Sequence, residues 1–191
     1  MSTSTTALQQ LIQAARVQGI SGDATLPDDI RTIIGAADQT KRQLTAEELE
    51  RICAVSDANA LVAVHLQERA TALVDQARSC LLREQPELVE PGGELHPAER
   101  ATACWRDCWQ FFRVIVYSYV CCRPDFTDPA GMAALRQLYE QMNVPVLGLN
   151  IALEQMEILS VAEITDADAQ AALMAAFRHL KTELNKTAVK S

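Results

Sequence analysis

Glycine and proline constrain this chain more than any other feature. Only seven of each occur in 191 residues, and they separate stretches whose apolar residues recur at helical spacing, not stretches of strict alternation. An all-α fold follows. Helix-start signals fall in the same gaps: Pro27 after Leu26, Thr45 with Glu48 three residues on as a capping box, Pro97 after His96, Asp128-Pro129, Pro145, and Thr165 with Asp168. They predict helices over 27–38, 45–53, 58–82, 97–121, 129–142, 145–161 and 166–185, six or seven in all, in one bundle-like domain with mostly short links. Ile30, Ile33 and Ile34 share a face of the first, and Leu61, Val64, Leu73 and Leu81 form a wide apolar stripe on the third, as for a helix buried among others. The one long loop is EQPELVEPGGELHP, residues 84–97, where Pro91-Gly92-Gly93 forces a turn. The chain thus divides into an N-terminal extension, 1–26, a domain, 27–185, and a tail, 186–191, expected to fray. Leu8, Leu11, Ile12 and Ala15 share one helical face, so the extension either packs or stays disordered.

Composition narrows the function classes. With 49% hydrophobic and 22% charged residues the chain is globular, and its net charge of −8 argues against non-specific binding to nucleic acid or anionic lipid. The most apolar run, Val114 to Cys122, is interrupted by Ser118 and falls far below the ~20 residues of a membrane span. The N-terminus has neither basic first residues nor a continuous apolar stretch, so a cytosolic location is expected. Six cysteines, none in paired C-x-x-C motifs, suit reduced thiols better than a disulfide scaffold.

The most specific pattern runs from the long loop into the aromatic helix after it. It contains Pro91-Gly92-Gly93, then Cys104-Trp105-Arg106-Asp107, then Arg113 and Tyr117 on the same helix. Upstream lie Ala37-Asp38 and Leu44-Thr45; downstream lies LRQLYEQMNVP, Leu135 to Pro145. In motifs and spacing this resembles the phycobiliproteins, the light-harvesting globin-like subunits of cyanobacteria and red algae, over roughly Ile30 to Leu180. The resemblance implies a globin-like helical bundle preceded by a helical extension, and a linear tetrapyrrole (bilin), phycocyanobilin or a relative, bonded to Cys104. By the same resemblance Asp107 holds the inner nitrogens and Arg106 a propionate, while Asp38 and Arg113 pair across an interface between subunits. With no cysteine after Cys122, the chain looks nearer to allophycocyanin than to a phycocyanin β subunit with a second pigment.

The residues themselves support part of this. A linear tetrapyrrole needs a nucleophile, an acceptor for its pyrrole N–H groups and cations for its propionates. At 100° per residue, Arg100, Cys104 and Asp107 fall on one stripe, so a guanidinium, a thiol and a carboxylate can face one ligand; Arg106 points off that stripe, and its role rests on the resemblance. The plainer alternative makes Cys104 a small buried apolar residue and Arg106–Asp107 a surface charge pair. Cys104 and Cys108 at i and i+4 could share a metal, but no histidine lies near in sequence; His65, His96 and His179 raise haem without a C-x-x-C-H motif. Trp105, Trp109, Phe111 and Phe112 suit core or pocket wall, and no catalytic constellation is evident.

The chain departs from the family pattern at several places. Cys121-Cys122-Arg123 replaces a small Ala-Gly-Asp turn, Trp105 and Trp109 are bulkier than usual neighbours of the cysteine, Ala72 stands where β-type subunits carry asparagine, and His96 where tyrosine is usual. The longer extension could cover the surface on which trimeric discs stack. Two expectations follow. The first is a pigment-carrying binding protein, not an enzyme, in light harvesting or phycobilisome association. The second is a relative that binds bilin transiently or not at all and acts in assembly, bilin handling or regulation. In both, the partner is the chain itself or another phycobiliprotein-like subunit, reached through the N-terminal helices, with association at the cytoplasmic face of thylakoids left open.

Overall fold

A computed structural model describes residues 2–186, with side chains from Ala7 onward. Among these residues are eight α-helices: α1 (Ser2–Ala14), α2 (Asp28–Gln39), α3 (Ala46–Ser56), α4 (Ala60–Glu84), α5 (Ala98–Cys121), α6 (Pro129–Gln141), α7 (Val146–Ala162) and α8 (Ala167–Leu184). Two short 3-10 turns, Ile20–Gly22 and Pro86–Val89, and one isolated bridge between Gln18 and Thr127 complete the described backbone. The fold is all-α. None of the helices is long and apolar enough to cross a membrane.

Local chemistry accounts for most helix starts. Thr45 and Glu48 form a reciprocal capping box, the Glu48 amide donating to Thr45 Oγ1 at 3.2 Å and the Thr45 amide to Glu48 Oε2 at 2.8 Å. The Arg42 guanidinium grips the same carboxylate through two bonds of 2.7 Å. Asn59 caps α4 by accepting from the Leu61 and Val62 amides, and Asp128 caps α6 with Pro129 in its first turn. At α8 the cap is Asp166, not Thr165: its carboxylate accepts from the Asp168 and Ala169 amides.

The core is organised on α5, which packs against α3, α4, α7 and α8. From Phe111 to Cys121 every residue is buried, the signature of a helix enclosed on all sides. Phe112 meets Phe177 of α8 with ring centroids 6.2 Å apart. The stripe expected on α4 holds for Leu73 and Leu81, which are buried; Leu61 departs from it at 80% exposure, on the outer side of a first turn whose Val62 and Ala63 face the core.

The extension packs. Helix α1 lies on α6, with Leu8, Leu11 and Ala15 half-buried and Ile12 turned to solvent, and Ile20 and Leu26 enter the core. Residues 16–19 then run beside the start of α6: the Asp128 amide donates to the Val17 carbonyl at 2.9 Å, the Gly19 amide to the Phe126 carbonyl at 2.6 Å, and Arg16 pairs with Asp128 at 2.9 Å. Gly131 permits this approach, because a Cβ there would overlap the Arg16 backbone. Beyond Lys186, the tail expected to fray lies outside the described residues.

Candidate functional site

The first half of α5 borders a cleft. Its walls come from α4 (Leu81), the loop after it (Leu95), α5 itself (Cys104, Trp105, Asp107), α6 (Tyr139) and the start of α7 (Leu149). Cys104 and Asp107, expected to act on one ligand, do line the same cleft. The Tyr139 hydroxyl donates to Asp107 Oδ2 at 3.2 Å and orients the carboxylate. Burial pushes the Asp107 carboxyl above the usual carboxylate range, with Arg106 and the Tyr139 hydrogen bond partly opposing it. Burial also raises the Cys104 thiol, the Asp107 charge raises it further, and Arg100 partly offsets both. At neutral pH Cys104 is therefore a protonated thiol.

The two arginines do not join them. Arg106 is largely exposed, 3.8 Å from Asp107 Oδ1, as a loose surface charge pair would be. Arg100 stays near the thiol but does not line the cavity: its Nη2 donates to the Met142 carbonyl at 2.9 Å and to the Asn143 carbonyl. The C-terminal carbonyls of α6 lack helical partners, and they draw the guanidinium out of the predicted stripe.

The space is small. The cleft holds a cavity of about 20 Å³, room for about one water, whereas small-molecule sites occupy about 300 Å³ or more. Trp105 forms part of the wall at 9% exposure, and its Nε1–H is buried without a partner. The guanidinium of Arg78, on α4, lies 5.9 Å from the centroid of its ring. The donors suit a linear tetrapyrrole chemically; the volume beside the thiol does not admit one in this conformation.

A second cavity, of about 280 Å³, lies at the other end of α5 between α2 and α3, lined by Thr25, Ile30, Ile52, Ser56, Cys122 and Arg123. This is where Cys121-Cys122-Arg123 departs from the family's small turn. Cys122 is exposed in a left-handed conformation, φ 50°, while burial pushes the Cys121 thiol up to about 12. The Arg123 charge is already met by Asp23 at 2.8 Å. Hydrogen bonds from Thr25, then from Arg123, hold that carboxyl down at about 2.

Asp38 and Arg113, expected to pair across an interface, lie within reach of each other in the single chain, Arg113 Nη2 to Asp38 Oδ1 at 2.7 Å. Arg113 also donates to the Tyr117 hydroxyl at 2.7 Å, Tyr117 donates to the Arg42 carbonyl, and the Gln18 amide reaches Asp38 Oδ2 at 3.2 Å. The reason is that α2 lies on its own domain with Ile30, Ile34 and Ala37 buried, which brings Asp38 over the middle of α5.

The other candidates do not gather. His65 lies 3.0 Å from Glu163, His179 lies 2.8 Å from Thr127, and no histidine lines either cavity. Among the described residues no group of three or more His, Cys, Asp or Glu could hold a metal, so Cys104 and Cys108 lack a third ligand. Sequence reasoning missed Tyr139 and Arg78 as neighbours of the cleft; each contact joins residues far apart in the chain, with no local pattern to signal it.

Comparison with known proteins bears on this geometry. The family model described as phycobilisome protein matches residues 32–184. The R-phycocyanin beta chain of Polysiphonia urceolata is 26% identical over 142 residues, covering 73% of this chain and 83% of the relative. The allophycocyanin subunit beta-18 of Synechocystis sp. is 27% identical over 169 residues, 85% of this chain and 99% of the relative. The allophycocyanin subunit alpha-B of the same organism is 27% identical over 143 residues, 73% of this chain and 89% of the relative. At such similar identities the comparison does not separate phycocyanin from allophycocyanin type.

Proposed function

This chain belongs to the phycobilisome protein family, and from that premise we propose that it is a globin-like pigment carrier, not an enzyme, that holds one linear tetrapyrrole by a thioether to Cys104. The observation that carries this reading is that a half-buried thiol and an oriented carboxylate, three residues apart on α5, open on one cleft. Attachment adds the Cys104 S–H across a carbon–carbon double bond: the C–S bond forms, the π bond opens, the thiol proton goes to the neighbouring carbon, and no oxidant is consumed. The raised Cys104 thiol makes the unassisted reaction slow at neutral pH and faster as pH climbs and the thiolate fraction grows.

Asp107, held by Tyr139, accepts pyrrole N–H groups, and its charge favours the protonated, cationic form of the pigment. Arg106, exposed and only loosely paired, is free to meet a propionate; Arg100 serves at the rim, where it secures the α6–α7 link. When bound, the pigment supplies red absorption and excitation transfer. Contact with a second subunit, of its own kind or a related one, runs through the N-terminal helices, with Asp38 and Arg113, which pair within the single chain, as candidate interface charges. The site of action is cytoplasmic, at the thylakoid face. One observation favours the second reading, a relative that carries pigment transiently or not at all in assembly, bilin handling or regulation: the 20 Å³ beside the thiol.

Co-expression with a phycocyanobilin-producing pathway, with and without attachment lyases, decides between them. A red band that survives denaturation, fluoresces with zinc on a gel and is lost in Cys104→Ala is the expected result. A colourless wild type under every condition would overturn the pigment reading and leave the assembly role.

A further inference from the structure

We infer that Trp105, latched by Arg78, is the stopper of the Cys104 cleft and sets the size of ligand that reaches the thiol. The inference rests on the pigment reading for the ligand's identity, a flat conjugated tetrapyrrole, but its geometry stands alone. Trp105 directly follows Cys104, lines the same cavity, and is the largest side chain on that wall. Its ring occupies space that a ligand would need, and it does so at a cost: the indole N–H is buried with no acceptor. A ring swung outward would regain a hydrogen bond to water, so the closed position is held by something else.

Arg78 supplies that hold. It is exposed on the neighbouring helix α4, with its guanidinium 5.9 Å from the ring centroid, within the range of a cation–π contact. The latch is therefore on the surface, where it can be released without unpacking the core. A planar ligand entering the cleft would take the place of the ring beside Leu81 and Leu149, apolar residues that line the same cleft. Cys108, one turn on, lines the same cavity but is more deeply buried, so the reaction is followed at the Cys104 peptide separately from Cys108.

The test uses the full chain free of pigment and compares two thiol reagents, iodoacetamide and the much bulkier fluorescein-5-maleimide, with modification followed at the Cys104 peptide by mass spectrometry. In the wild type, iodoacetamide should react and the maleimide lag behind it. Trp105→Leu should raise the maleimide rate at Cys104 by about tenfold or more while changing the iodoacetamide rate little, and Arg78→Ala should raise it severalfold. Since Trp105 is part of the core cluster, Arg78→Ala, a surface change checked by circular dichroism, keeps the test meaningful if the leucine variant folds poorly. Equal maleimide rates in wild type and Arg78→Ala would overturn the latch, and equal rates in a folded Trp105→Leu would overturn the stopper. Pigment loading separates the two proposals. A faster maleimide reaction with no covalent pigment in any variant keeps the stopper and sinks the pigment reading; covalent pigment with unchanged reagent rates does the reverse.

Discussion

The two halves of α5 are built on opposite terms. Residues 111–121 are buried throughout, and the one charge among them is fully answered: Arg113 bonds Asp38, Tyr117 and Gln110, and the Tyr117 hydroxyl donates in turn to the Arg42 carbonyl. Residues 98–107 border a cleft and leave polar groups unanswered. Nε of Arg100 and Nε1 of Trp105 are buried without partners, and the Asp107 carboxyl is pushed up by burial. A helix that served only the core would have no reason to differ so sharply along its length. On α5 the unsatisfied groups gather at the cleft end, the pattern expected where a site is built at a cost in stability.

Substitutions can break that contrast. Arg113→Ala leaves Asp38 without its cation, with only the Gln18 amide to meet it, and takes one donor from the Tyr117 hydroxyl, so the expected loss is about 3 kcal/mol, read as a lower urea midpoint at unchanged slope. A loss below about 1 kcal/mol would show that the buried half is not where the fold is anchored.

Asp107→Asn sharpens the contrast from the other side. Because the folded-state carboxyl is raised, its ionised form weakens the fold, and the amide variant should melt higher near pH 7, on the order of one or two degrees. The sign then works in one direction. The stability that Asp107 withholds returns as pH falls through its raised folded value, so the gap should close in melts near about pH 4. A variant that melts lower than wild type at pH 7 would mean that the site half is tuned for stability after all. Arg106→Ala should change stability least, by less than about 0.5 kcal/mol, because an exposed pair at 3.8 Å contributes little. On the pigment reading, its effect belongs instead in the absorption spectrum of protein loaded with bilin.

Much of the fold was legible in the sequence because helix ends are local chemistry. The Thr45–Glu48 box and Asp128-Pro129 act over three residues, and the helices they open start as expected. The site was only half legible. Helical geometry placed Cys104 and Asp107 together correctly, because their backbone positions alone bring them to one cleft. It misplaced Arg100, whose long side chain follows the carbonyls at the end of α6, and it had no means to find Tyr139, 32 positions from its carboxylate partner. The resemblance named Asp38 and Arg113 as a pair, yet whether a pair closes within a chain or between chains depends on where α2 lies. That is a matter of packing, outside any motif.

The backbone joint between residues 16–19 and 126–131 also carries a consequence for the order of events during synthesis. Arg16 and its partner Asp128 are 112 positions apart, so a segment made early is among the last to be fastened. Until Gly131 has emerged, α1 has no seat. Contacts of such long range form late because the intervening loop must close first, and until α6 is made α1 remains available to chaperones and proteases.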